Sequence, residues 1–158
     1  MNLLTPTHQW VEQPHLLKTN VSKDFEQWLL NPDLTTTQSQ QKHKKTSSIT
    51  SYQLQLHLTP DDIKQFLDIP YTWQRKVSLT LNGITWCHAI SYLAPEINNQ
   101  VMDNELIGHF LKMHQYQRSN VCFSLNHQNN ILRQTIWSGD HLIPIPIYEC
   151  FTEEFNKL

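Results

Sequence analysis

The stretch TWQRKVSLTLNGITWCHAISYL, residues 72–93, decides the fold class. Two runs rich in β-branched and aromatic residues, 72–81 and 84–93, flank the dipeptide Asn82-Gly83. A two-residue type I′ turn needs positive φ at both central positions, which Asn and Gly tolerate best, so the stretch predicts a tight antiparallel hairpin. Immediately upstream, residues 51–58 alternate Tyr52, Leu54, Leu56 and Leu58 with Gln53, Gln55 and His57. That period of two predicts a third strand with one buried face. Between them, Thr59-Pro60-Asp61-Asp62 supplies an N-cap, a proline at the first helical position and early acids for a short helix ending before Pro70.

Further out, residues 21–30 read as a helix with Ser22 as N-cap, Asp24 and Glu26 in the first turn, and Phe25, Trp28 and Leu29 on one face. Pro32 stops it. Residues 35–48 hold no apolar side chain and read as a polar surface loop or flap. Asp103 is the expected cap of a helix reaching about Met113, with Leu106, Ile107, Phe110 and Leu111 on its apolar side and Gly108 conspicuous inside it. A last β region comprises residues 120–125, 131–137 and 142–151. Pro144 and Pro146 remove donors on one side of the final strand, which predicts an edge strand or a bulge. The expectation is a single α+β domain over residues 1–158, an antiparallel sheet with helices packed against it.

Composition excludes several function classes. Twelve basic and 14 acidic side chains give a net charge of −2, without a basic patch for nucleic acid. No segment approaches the roughly 18 consecutive apolar residues of a membrane span, and the N-terminus lacks a signal-peptide pattern. A soluble cytoplasmic monomer, not inserted in a membrane, is expected. Cys87, Cys122 and Cys150 are widely spaced in apolar sequence and read as reduced, packed thiols. The nine histidines form no metal-ligand spacing, and three glycines make no phosphate-cradling loop. Neither a metal nor a nucleotide cofactor is expected.

Four segments, in order and spanning most of the chain, resemble the chorismate pyruvate-lyase family. After the helix ending in Trp28-Leu29-Leu30 comes Asp33-Leu34-Thr35. YTWQRKVSL, residues 71–79, is similar to the family's aromatic-x-Arg-acid-aliphatic strand, and the hairpin leads through Trp86 to Pro95. Leu106-Ile107-Gly108-His109-Phe110-Leu111 resembles a Pro-Leu-Gly-Arg-aromatic-Leu element. LRQTIWSGDHLIPIPIYECF, residues 132–151, is similar to an Arg-Arg-Ser strand, a glycine turn and a strand ending in Glu.

The resemblance implies a chorismate lyase-like fold and elimination of pyruvate from chorismate to leave 4-hydroxybenzoate, as in the first committed step of ubiquinone biosynthesis. It implies that Arg75 holds the ligand carboxylate, that Glu149 meets the ring hydroxyl, and that the main-chain N–H groups of Leu34 and Ile107 complete the carboxylate end. Arg75 and Glu149 are thus the catalytic pair. A guanidinium suits the first task because its planar fork matches a carboxylate. This chain departs from the family pattern at Ile90, where a second arginine usually follows a small residue such as Ala89, and at His109, Gln134 and Thr135. Arg118 and Arg133 are the alternative cations. The same fold resembles ligand-sensing domains of bacterial transcription regulators, which supplies the alternative of a non-catalytic aromatic-acid sensor. Only about twenty residues precede the first helix, too few for a DNA-binding module, so catalysis is the expected function.

Overall fold

The computed structural model describes residues 9–31, 50–67, 71, 73–101, 105–139 and 143–157. Its six strands are β1 (Thr50–Leu58), β2 (Trp73–Leu81), β3 (Ile84–Leu93), β4 (Gln117–Leu125), β5 (Ile131–Ser138) and β6 (Ile145–Phe151). They form one antiparallel sheet in the order β1-β2-β3-β6-β5-β4. Two three-stranded meanders therefore join along a β3–β6 seam that runs from Cys87 opposite Phe151 to Ser91 opposite Ile147. The α+β class and the antiparallel sheet agree with the sequence reading.

The hairpin turn forms at Asn82 (φ 51°) and Gly83 (φ 81°), as its residue types require. Helix α1 (Lys23–Leu30) starts at Ser22, whose hydroxyl accepts from the Phe25 amide at 3.2 Å, and ends with Asn31 as C-cap. Helix α2 (Asp61–Leu67) begins differently from the expected Thr59 cap. Thr59 Oγ1 is buried with no hydrogen-bond partner among the described residues, and the Pro60 carbonyl accepts from Ile63 and Lys64 instead.

Between β3 and β4 the chain crosses from the middle of the sheet to its far edge through a single turn, α3 (Pro95–Asn98), and helix α4 (Ile107–Met113). Asp103 lies outside the described residues, and α4 starts after Leu106, which makes no side-chain cap. Ile97, Phe110, Leu111 and Tyr116 of this crossover pack with Trp137, Ile145 and Ile147 of the sheet. Phe25 and Leu29 of α1 pack with Val77, Leu79 and Phe151. The opposite face buries Ile90, Tyr92, Leu132 and Tyr148 against Ile63 of α2 and Tyr71. Helices thus cover both faces.

Two further expectations fail. Strand β6 is not an edge strand but lies inside the sheet between β3 and β5. Its prolines are tolerated because pairing with β3 stops at Ile147, so Pro146 has only β5 beside it, and Pro144 precedes the strand. The Tyr71 hydroxyl donates to the Pro144 carbonyl at 2.6 Å and the Tyr116 hydroxyl to that of Ile143 at 3.1 Å, which fixes the entry to β6. Strand β1 is one of the two edges, and its apolar row is only half covered: Leu54 and Leu56 are half-buried and Leu58 is 64% exposed.

At Gly83 the position that a Cβ would occupy has nothing within 4 Å, so a side chain there costs only the strain of positive φ. Gly83→Ala is expected to lower stability by about 1 kcal/mol in urea denaturation, the scale for an L residue in the left-handed region, with Gly83→Asn milder. An unchanged midpoint for Gly83→Ala would contradict the turn geometry.

Candidate functional site

Strand alternation sends one set of side chains toward α1 and α4. Because the register is known, these form rows across the sheet. One row runs Leu54, Val77, Ala89, Glu149, Arg133, Phe123 from β1 to β4. The next runs Leu56, Arg75, Ser91, Ile147, Thr135, Val121. Above them lies a cavity of about 70 Å³. At about 10–15 Å³ per water, that is room for about five waters. Val77, Leu79, Ala89 and Ile147 give it apolar walls, while Leu106, Ile107 and Gly108 close it from the start of α4.

Its charged groups are Arg118, Arg133 and Glu149. Arg133 Nε donates to Glu149 Oε2 at 2.7 Å, with the two side chains 2% and 7% exposed. A carboxylate buried this far needs such a partner, since removing an unpaired charge from water is prohibitive. Arg133 Nη1 also donates to the Leu29 carbonyl at 2.9 Å, and its guanidinium carbon lies 5.5 Å from the Trp28 ring and 5.2 Å from the Phe151 ring. Arg118 donates to the carbonyls of Asn31 at 2.9 Å and Leu30 at 2.7 Å. Both guanidinium groups therefore satisfy carbonyl groups at the C-terminus of α1, which attract cations. Burial, then the nearby Arg133 charge, lowers the Arg118 pKa, while Glu149 opposes the shift. A guanidinium stays protonated in proteins, so the cavity carries one positive charge in excess.

The residues singled out from sequence are partly assembled here. Glu149 lines the cavity, as does Ile107 at the first turn of α4, where an amide has no intrahelical acceptor. Arg75 is buried on the same face, one row from Glu149 and two strands away, but it does not line the cavity wall. Its Nη2 donates to the Glu105 carbonyl at 2.6 Å, beneath the segment that closes the site. Leu34 and the 35–48 stretch lie outside the described residues. Ile90, where the family pattern places an arginine, faces the opposite side and packs with Tyr71 and Tyr92. The cations at the cavity are Arg118 and Arg133, which the sequence offered only as substitutes. Their signal was strand parity: Arg133 and Thr135 share a face with Trp137, visible once β5 is recognised.

No family model and no curated protein matches the chain. Among solved structures, it is similar to a possible transcriptional regulator, YydK, from Bacillus subtilis subsp. subtilis str. 168, with a TM-score of 0.48 and 12% sequence identity over 68% of this chain and 59% of that one. The chain thus spans less than two thirds of that protein's length.

Of the other chemistry-bearing groups, Cys87 sits on the cavity face but is fully buried, and burial, reinforced by Glu149, pushes its thiol well above the ordinary range. It is a packed thiol and not a nucleophile at neutral pH. Among the described residues, no group of three or more His, Cys, Asp or Glu is placed to hold a metal. No described helix is long and apolar enough to cross a membrane.

Arg133→Ala strands the Glu149 carboxylate in the interior and is expected to cost about 3–5 kcal/mol. Replacing both partners, Arg133→Met with Glu149→Leu, removes the stranded charge and is expected to recover much of that loss in the same denaturation assay. A double variant as unstable as the sum of the singles would show that the two residues are not coupled.

Proposed function

We propose that this chain is a chorismate pyruvate-lyase of the kind its motifs resemble, with the chorismate ring held between the sheet and the start of α4. The observation that carries this reading is the buried Arg133–Glu149 pair, set with Arg118 in a cavity whose remaining walls are largely apolar. Excess positive charge favours an anion, and the walls formed by Val77, Leu79, Ala89 and Ile147 favour a ring. In this reading the ring carboxylate points to the Arg75 corner beneath the Ile107 amide, Leu34 keeps the main-chain role that the resemblance implies, and the hydroxyl-bearing carbon faces Glu149.

The reaction breaks the ether bond to the enolpyruvyl group, and the hydrogen on the hydroxyl-bearing carbon leaves as a proton. The ring becomes aromatic 4-hydroxybenzoate, and the released enol becomes pyruvate. Aromatisation drives the step, so the residues need only orient the ring, exclude water and stabilise charge. Glu149 fixes the hydroxyl end, and Arg118 and Arg133 offer positive charge to the departing enolpyruvate carboxylate. No cofactor enters the scheme.

A second reading is an aromatic-acid sensor that binds without turnover. It draws on the same pair, because a carboxylate held at 2.7 Å by an anchored guanidinium can serve as a fixed acceptor for a ligand hydroxyl with no proton transferred.

Incubation of the purified chain with chorismate, followed for 4-hydroxybenzoate and pyruvate, separates the two. Both readings expect 4-hydroxybenzoate to raise the melting temperature, by an amount equivalent to about 2.7 kcal/mol at a hundredfold excess over Kd. Stabilisation with pyruvate release supports the lyase, and stabilisation without it supports the sensor. A melting temperature indifferent to millimolar 4-hydroxybenzoate would remove both.

A further inference from the structure

Ser91 is 3% exposed and lines the cavity, yet its hydroxyl makes no hydrogen bond among the described residues. Nor is that hydroxyl sealed away, as the orphan indole N–H groups of Trp28 and Trp86 are. The little surface that Ser91 retains therefore includes its Oγ, which opens into the cavity. The neighbouring hydroxyl shows the contrast: Thr135 Oγ1 accepts from Trp137 Nε1 at 3.2 Å and donates to the Ile147 carbonyl at 3.5 Å. A buried hydroxyl left without a partner is costly, and positions where one persists are those that a ligand or water completes.

The register says which end of the ligand it meets. Ser91 is the direct cross-strand neighbour of Arg75, with side chains about 5 Å apart at Cβ. Arg75 in turn is bonded to the Glu105 carbonyl, one residue before the Leu106–Gly108 segment that closes the cavity. Ser91 thus lies at the corner where a guanidinium and the first amides of α4 converge. Glu149, the cavity's acceptor, lies diagonally across, on β6 and one row away. Ser91 thus stands on the Arg75 side of the cavity, while Glu149 stands with Arg133 and Arg118 on the other.

We infer that Ser91 is a specificity-determining residue whose hydroxyl donates to the carboxylate of an aromatic-acid ligand, on the Arg75 side of the cavity. The inference rests on the reading of the cavity as an aromatic-acid site and adds a side-chain contact to it. It predicts that Ser91 recognises the carboxylate common to benzoate and 4-hydroxybenzoate and is blind to the ring hydroxyl.

Calorimetric titration of the wild-type chain, Ser91→Ala and Ser91→Cys with both acids tests it. The alanine variant is expected to bind both acids about ten- to a hundredfold more weakly, the scale of a lost hydrogen bond to a charged group. Ser91→Cys keeps the size but has only a weak donor, so most of the loss should persist with an unchanged melting temperature. Full affinity in Ser91→Cys would assign the effect to packing and overturn the inference. So would a loss confined to 4-hydroxybenzoate, which would place Ser91 at the hydroxyl end, or no loss in either variant. If the wild-type chain binds neither acid, the aromatic-acid reading fails first, and the Ser91 assignment falls with it.

Discussion

The Arg133 guanidinium is the junction on which this structure turns. It neutralises Glu149 across the β5–β6 ladder, takes up the Leu29 carbonyl at the end of α1, and stacks near Trp28 and Phe151. Sheet, helix and aromatic cluster are thereby fastened through one side chain. Charge burial makes the fastening strict, because neither ion is tolerated in the interior without the other. An apolar pair at these positions would hold the same elements by packing alone, and the cavity would then have no acceptor and one cation fewer.

A common device positions the basic groups at and beside the cavity. Arg133 rests on the carbonyl of Leu29, Arg118 on those of Leu30 and Asn31, and Arg75 on that of Glu105. In each case a main-chain oxygen of the covering layer holds a guanidinium that starts from the sheet. The cations are fixed before any ligand arrives, which spares the cost of ordering long side chains on binding. The same contacts tie the covering segments to the sheet.

The β3–β6 seam supplies the floor. It joins the two meanders and sets Ala89 beside Glu149 and Ser91 beside Ile147. A small residue, a carboxylate, a hydroxyl and a branched aliphatic therefore meet within two rows. A shift of β6 by one residue along this seam would turn Glu149 and Ile147 to the other face, where Tyr148 and Cys150 now pack. The tyrosine hydroxyls that grip Ile143 and Pro144 hold β6 at its entry and so help set that register.

Local patterns determined much of this protein. Asn82-Gly83 specified its turn through backbone sterics, Ser22 its cap through one hydrogen bond, and the period-two runs their strands. Those features depend on neighbours a few residues away, so they can be read directly. Tertiary structure alone decided the rest. The prolines at 144 and 146 argued for an edge, yet β6 became an interior strand because pairing with β3 ends before the missing donor matters. Ile90 is where the motif pattern looked for a cation, but strand parity turns it away from the cavity. Glu149 was legible as a candidate, whereas its partner Arg133 emerged only from the β5–β6 register, and the carbonyls that anchor Arg133 and Arg118 come from about a hundred residues earlier in the chain. Which charges meet in an interior depends on long-range register and on the desolvation that forces each ion to find a partner, and neither is written in any local stretch of sequence.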